Sequence, residues 1–393
     1  MGFLRDGNTA RALPYPEPEF PDKDTEVSPS PVQEQPHHTA RLEPTDWVVA
    51  AVLTLSVSIA CFFIAESIPA FLLQSMDFWF ESDTVREVSN MTSTTDDHSR
   101  TSVHPLFSIL TFVPVYLVKH ALAIPPLQAV LYVTSILGGV WMGTLYLLLR
   151  LMGCRTLDAS VFTSLGLSSA SAIFWLPVPN SYTWGSWSIM ISLALLLLAE
   201  QHRVGALSYV LASAFTLSIT VTNWMAGLLT TLARWPFKQA VQLSINAFCL
   251  VVLLWGAQKF IFPSAEFFIG SRKEANWINH PQSGQASNIA SSFVFHTLIA
   301  PAIRFIDDDG YIQVGDDSVR LAQRLAFQFS TPGSAGPLGL IAVCLWSALL
   351  LNGLWRLVTM DRQLRFRLVL ATLLLFELSL HMVYGEETFT YSL

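Results

Sequence analysis

Charge is scarce in this 393-residue chain: 22 Lys and Arg and 29 Asp and Glu make up 13% of it, against 52% apolar residues. With a positive mean hydropathy, that balance excludes the ordinary soluble globular class and places most of the chain in lipid. No basic stripe is present and the net charge is −7, so a nucleic-acid partner is not expected. Neither a Walker loop nor a GxGxxG stretch occurs, which argues against nucleotide hydrolysis and against a soluble nucleotide-sugar domain. Cysteine is rare too. Cys61, Cys154, Cys249 and Cys344 all fall in apolar runs without other metal-ligand types around them, so they are expected to be reduced packing residues, with no disulfide framework and no metal site.

What the chain has in quantity is long apolar runs. A helix crossing about 30 Å of hydrocarbon needs roughly 20 apolar residues. Runs at 47–66, 126–150, 157–176, 182–199, 238–261, 337–357 and 367–384 meet that length. The stretch 204–233 is interrupted at Thr222, Asn223 and Trp224, and is expected to form two shorter helices meeting near Asn223. The total is about nine transmembrane helices in an all-α polytopic membrane protein. Residues 1–45, rich in Pro, Glu, Asp and Ser, read as a disordered tail, and Trp47 to Ala65 reads as a retained span rather than a cleaved signal.

One apolar segment is too short. PLFSILTFVPVYLVKHA (105–121) carries Pro114 in its middle and closes on Lys119 and His120. At about 1.5 Å per residue it reaches about 24 Å, and the proline removes one backbone bond. If it crossed, Arg150, Arg155, Arg203, Arg234, Lys238 and the cluster Arg356, Arg362, Arg365 and Arg367 would all lie outside. If it lies along the outer surface, every one of these short basic loops is cytoplasmic, as the positive-inside rule requires. The second arrangement is expected. It puts the N-terminus in the cytoplasm of a multi-pass cell-membrane protein. Residues 46–262 then form a transmembrane core with a first extracytoplasmic loop at 67–125, 263–336 a second long outer loop, and 337–393 the C-terminal helices.

The polar residues collect on that outer side. The first loop holds Asp77, Glu81, Asp83, Arg86, Asp96, Asp97, His98, Arg100 and His104. A carboxylate beside arginines at a membrane surface can accept a proton from a hydroxyl while the guanidinium groups bind a phosphate. Glu377 and His381 lie four apart in the last span and so share one helix face, where ionisable groups are costly and face a protein interior or a water-filled cavity. FIDDDGYIQVGDDS (305–318) lacks the ligand spacing of a calcium loop and reads as a turn between short extended segments. Asn90-Met91-Thr92 fits the glycosylation acceptor triplet.

Asp83 in FESDTVR, followed by His104, Pro105 and Leu106 in SVHPLF, resembles the GT-C superfamily of integral-membrane glycosyltransferases, which includes protein O-mannosyltransferases, aminoarabinose transferases and lipopolysaccharide sugar transferases. The polar turn VPNSYTWG looks like the family's Pro-Glu/Asp turn, and the resemblance covers roughly residues 47–235. It implies a first-loop carboxylate as catalytic base, Asp83 first and Asp97 second, with His104 beside the site and Arg86 and Arg100 holding phosphate. It also implies a polyprenyl-phosphate sugar donor, a lipid or protein acceptor, contact with membrane lipids and no cofactor. Asn180, in the polar turn, and the pair Glu377 and His381 are further candidates for substrate binding. Leu106 replaces the family's second proline, and Asn180 stands where many relatives carry an acid. Relatives usually continue with more helices, so the chain is expected to be either a piece or a short member. Two other functions fit the same composition: a transporter or flippase of a lipid-linked sugar, and a non-catalytic envelope-assembly protein using the loop 263–336 as its surface.

Overall fold

A computed structural model gives the fold, and it describes residues 42–73, 78–80, 82–270, 278, 286–307, 311–314, 317–320, 323–327 and 330–384. Asp77, Glu81, Asp309, Gly310 and all but a few residues of the expected N-terminal tail lie outside these.

The chain is a helical membrane protein. It opens with α1 (Pro44–Ser67) and a single turn, α2 (Ala70–Leu73). The first loop holds the short helix α3 (Thr84–Thr92), a 3-10 turn (Ser99–Ser102) and α4 (Phe107–Leu122). Then follow α5 (Pro126–Leu151), α6 (Thr156–Leu167), α7 (Ala170–Trp175), α8 (Ser181–Gln201), α9 (Ala206–Ile219), α10 (Trp224–Arg234) and α11 (Phe237–Ile261). The second loop carries α12 (Ala286–Ser291), a π-helical turn (Ser292–His296), α13 (Thr297–Ile299) and four short strands. β2 (Tyr311–Val314) and β3 (Asp317–Arg320) pair inside β1 (Arg304–Asp307) and β4 (Gln323–Ala326), two nested antiparallel hairpins where extended segments were expected. Last come α14 (Gly336–Thr359) and α15 (Leu364–Val383).

Six of these helices, α1, α5, α8, α11, α14 and α15, are long and apolar enough to cross a bilayer. Their outer faces are apolar where water would be unfavourable: Phe63 is 68% exposed, Leu253 73% and Leu375 66%. The expected continuous span at 157–176 is instead two helices. Its break is local chemistry, because the Ser169 hydroxyl accepts a bond from the Ala172 N–H at 3.3 Å and starts a new helix there. The region 204–233 divides as its sequence indicates, with residues 220–223 outside both α9 and α10.

α1 and α5 pack most closely of all. A Cβ on Gly139 would stand 2.2 Å from the Thr54 carbonyl oxygen and 2.1 Å from the Ser58 hydroxyl, so only glycine admits this approach. α9 and α10 fold back on each other as a hairpin through a similar contact, where a Cβ on Gly227 would stand 2.6 Å from the Ser213 Cα.

The helix ends sort into two sets. At one, Arg150 Nε and Nη2 donate to the two oxygens of Asp46 at 2.6 and 3.0 Å, tying the start of α1 to the end of α5. Gln363, before α15, donates to the Met152 carbonyl at 3.5 Å, and Tyr209 and Trp235 close the base of the α9–α10 hairpin with ring centroids 6.0 Å apart. The basic loops therefore share one end. At the other end, the Leu106 N–H donates to Ser218 O at 2.8 Å, and the Val221 N–H to Val103 O at 3.0 Å. There too the Gln258 amide, late in α11, donates to Pro105 O at 2.8 Å and accepts from the Ile109 N–H at 3.2 Å. α4 starts among these contacts. Phe107 and Val115 then pack on Ala129, Val130 and Val133 in the first turns of α5, and α4 hands over to α5 at its N-terminus. Both ends of α4 thus lie away from the basic loops, so it does not run from one set to the other.

Candidate functional site

The end opposite the basic loops is built around α3. Thr84, Glu87, Asn90 and Met91 recur at helical spacing and are all buried. Met91 packs on Phe107 and Val115, so an apolar anchor carries a glutamate and an asparagine inward with it. Facing them are Arg100 and Thr101 from the 3-10 turn, His104 from the turn before α4, and Phe107 and Ser108 from the start of α4. Together with Glu87 and Asn90 these enclose a pocket of about 10 Å³, the size of a single water.

Each titratable group in the cluster has a distinct setting. Asp83, at the N-terminal boundary of α3 and partly exposed, forms an ion pair with Arg86 three residues on. Glu87, one turn further, is 5% exposed, and burial pushes its pKa up to about 7 against the opposing pull of Arg86. Asp83 adds to the rise, while a hydrogen bond from Ser181 and the charge of Arg100 oppose it. His104 Nδ1 lies 2.8 Å from the Ile219 carbonyl and therefore carries the proton, which leaves Nε2 with the lone pair. Burial first, then the charge of Arg100, pushes its pKa down to about 3, so it is neutral across the physiological range. Several atoms here have no protein partner: Thr84 Oγ1, Arg86 Nε, Glu87 Oε2, Asn90 Oδ1 and Ser102 Oγ. These five atoms fall within nineteen consecutive positions.

The sequence candidates divide accordingly. Arg100 and His104 line the pocket, while Asp83 and Arg86 pair with each other at the start of α3 and do not line it. Asp97 does not join them: it is exposed and accepts from the Ser99 N–H at 2.8 Å as a local turn cap. Asn180 is buried with each of its groups occupied. Its Oδ1 accepts from the Thr183 N–H at 2.8 Å and its Nδ2 donates to Trp175 O and Val178 O at 2.6 and 2.5 Å. It caps α8, and so fixes Ser181 beside Glu87. Glu377 and His381 lie in α15, where the His381 ring sits 4.3 Å from that of Phe293; neither lines the pocket. Asn90, the acceptor in the glycosylation triplet, is 4% exposed and turned inward, which removes it from enzymatic reach.

Three contributors escaped the sequence reading: Glu87, Ser181 and Gln258. Glu87 had a signal, since it falls four residues after Asp83 on the same face of a short amphipathic helix. Gln258 had none, being a polar residue near the end of a span, where a solvated position is the ordinary expectation. His98 is also fully used: Nδ1 accepts from the Ser108 hydroxyl at 2.8 Å and Nε2–H donates to Ser93 O at 3.1 Å. Burial lowers its pKa, and it rivets the loop in its neutral form.

The fold and this cluster define a polytopic helical membrane protein with a polar, partly unsatisfied site at the end away from its basic loops. Comparison with protein-family models, curated proteins and solved structures gives no match. Among the described residues no group of three or more His, Cys, Asp or Glu side chains is arranged to hold a metal ion.

Proposed function

We propose that this chain is an integral-membrane glycosyltransferase with a GT-C-like core, moving a sugar from a polyprenyl-phosphate donor to a lipid or protein acceptor of the cell envelope. The observation that carries the proposal is a partly exposed carboxylate, Asp83, paired with Arg86 one turn before Glu87, next to a buried pocket that Arg100 and neutral His104 line. In the reaction the acceptor hydroxyl oxygen attacks the anomeric carbon, the bond from that carbon to the phosphate oxygen breaks, and polyprenyl phosphate leaves with the electron pair. Asp83 takes the hydroxyl proton, and the two guanidinium groups neutralise charge that develops on the departing phosphate.

A lateral groove supports a lipid-borne donor. Between α10 and α11 lies an almost wholly apolar space of about 440 Å³, lined by Trp224, Leu228, Phe237, Ile245 and Phe248 among others. Trp224, which directly follows the turn that bonds Val103 and His104, lines one end of the groove, and Phe237 at the start of α11 lines the other. The proposal includes nine crossings, with α6 and α7 acting as one broken span and α9 and α10 as one each. The basic loops and the N-terminus then face the cytoplasm and the site faces outward.

Two measurements test this. A His120→Cys variant, in a chain whose own cysteines are replaced, is expected to react with an impermeant maleimide added from outside; reaction only after permeabilisation would overturn the orientation. Mass spectrometry of envelope glycolipids and glycoproteins from cells with and without the gene is expected to show one glycoform lost and restored by the wild-type chain. Unchanged glycoforms would sink the transferase proposal.

A further inference from the structure

We propose that the groove between α10 and α11 holds an acyl chain of an anionic phospholipid from the leaflet beside the basic loops, with the lipid phosphate bound at the start of α11 by Lys238 and Arg234. This goes beyond the transferase reading, which concerns the Trp224 end of the groove, and does not depend on it.

The groove has the depth of one leaflet. Its volume is about 440 Å³, within the roughly 300–1,000 Å³ of sites that hold small ligands, and its lining is almost wholly apolar. The five residues that α11 contributes, Phe237, Val241, Ser244, Ile245 and Phe248, all fall in the first half of this 25-residue helix. At about 1.5 Å per residue they cover about 16 Å, half of the roughly 30 Å of hydrocarbon in a bilayer. At one limit the Trp224 and Phe248 rings stack with centroids 5.8 Å apart. At the other, Phe237 is 73% exposed and Leu232 is exposed beside it, so the groove is open on the side of the basic loops. Its occupant must be apolar, about as long as one leaflet is deep, and able to enter from the headgroup side. A phospholipid acyl chain meets all three conditions.

Charge selects the headgroup. Lys238 lies three residues before Val241 and seven before Ile245, on the groove face of α11. Helical side chains lean toward the N-terminus, so its stem runs along apolar surface and its ammonium reaches the groove's mouth. Arg234 ends α10 four residues earlier. Both cations are exposed, and neither forms a hydrogen bond or an ion pair with a described residue. Pro236, the N-cap of α11, offers no side-chain cap, so the first-turn N–H groups and the positive end of the helix dipole add to the same field. No Asp or Glu occurs from 201 to 265 to offset it, and Glu200, the acid before that stretch, has Arg365 as its neighbouring cation. Basic pockets between spans are where anionic lipid heads bind. An anionic phospholipid therefore satisfies the groove and its mouth together, whereas a zwitterionic one brings its own cation to a place that already holds two.

The test is native mass spectrometry of the purified full chain, released from nanodiscs made of equal parts phosphatidylglycerol and phosphatidylcholine. Wild type is expected to retain one phospholipid, with phosphatidylglycerol preferred. Each of the two cations is expected to contribute about five-fold to that preference, the weight of one Lys or Arg at an anionic surface. Lys238→Gln should therefore lower the ratio of the two lipids about five-fold, and Lys238→Gln combined with Arg234→Gln should bring it close to that of the nanodisc. Ile245→Trp, which places an indole in the groove, is expected to lower retention of both lipids alike; Leu228→Phe, from the opposite wall, takes its place should that variant fail to fold. A wild type that retains no phospholipid, one that retains both lipids equally, or one that appears as a lipid-free dimer would each overturn the proposal. So would an unchanged ratio in the doubly substituted chain, or full retention in a folded groove-filling variant. No sugar donor enters the experiment, so its failure and the failure of the transferase proposal are separate results.

Discussion

Asp83→Asn is expected to lower sugar transfer by about 10²–10⁴-fold, the range a positioned general base contributes. The substitution keeps the side chain's shape while it removes the negative charge and the ability to take a proton. Asparagine is also well tolerated at a helix N-terminal boundary, so α3 should persist, and membrane insertion with it. Losing the ion pair with Arg86 costs little, because both side chains are partly exposed and such pairs are worth about 0–1 kcal/mol. Activity should therefore fall far more than stability. Asp97→Asn makes the contrast: Asp97 caps Ser99 on the exposed side of the loop, and its loss should leave the transfer rate within a few-fold of wild type. Both are read by comparing initial rates at matched protein levels in the same membranes. An unimpaired Asp83→Asn chain would remove Asp83 as the base.

Gly139→Leu is expected to be the most disruptive single change to the fold. The first added carbon already lies 2.1 Å from the Ser58 hydroxyl and 2.2 Å from the Thr54 backbone oxygen, distances at which one helix must move away from the other. Overpacked sites cost typically about 1–3 kcal/mol and occasionally more, and here backbone rather than a flexible side chain stands in the way. Leucine adds three further carbons to a seam where a Cβ on Gly143 would likewise stand 3.2 Å from the Ala50 carbonyl oxygen. A thermal unfolding midpoint in detergent well below that of wild type, or loss of monodisperse protein altogether, is the expected reading. A midpoint unchanged from wild type would mean that α1 and α5 do not pack as described.

Long apolar runs and the placement of arginines carried most of the fold in legible form. Chain length against bilayer thickness picked out the helices that became α1, α5, α8, α11, α14 and α15. The sorting of Arg150, Arg155, Arg203, Arg234 and Arg365 into short loops anticipated that these loops share one end. The break at Ser168 and Ser169 was less visible, because a serine pair inside an apolar run reads as tolerable until its hydroxyl is seen capping a new helix. At the site, Asp83, Arg86, Arg100 and His104 were readable as chemistry-bearing types near one another in sequence. Their separation from Asp97 was not, because a carboxylate that caps a turn and one that faces a pocket look alike without coordinates. Asn180 shows the same limit: its bonds to the backbone of α8 and of the residues before it are not legible in the sequence. Glu87 became significant only through tertiary burial, a property set by Met91, Phe107 and Val115 rather than by its own neighbours in sequence.

The most direct measurement is the fate of the sugar–phosphate bond in proteoliposomes that hold only the purified chain, a polyprenyl-phosphate sugar and a hydroxyl acceptor. Release of free polyprenyl phosphate, matched by glycosylated acceptor and abolished by Asp83→Asn, is the result expected of a transferase. A donor that changes leaflet with its sugar still attached, or one that stays intact in place, would contradict it.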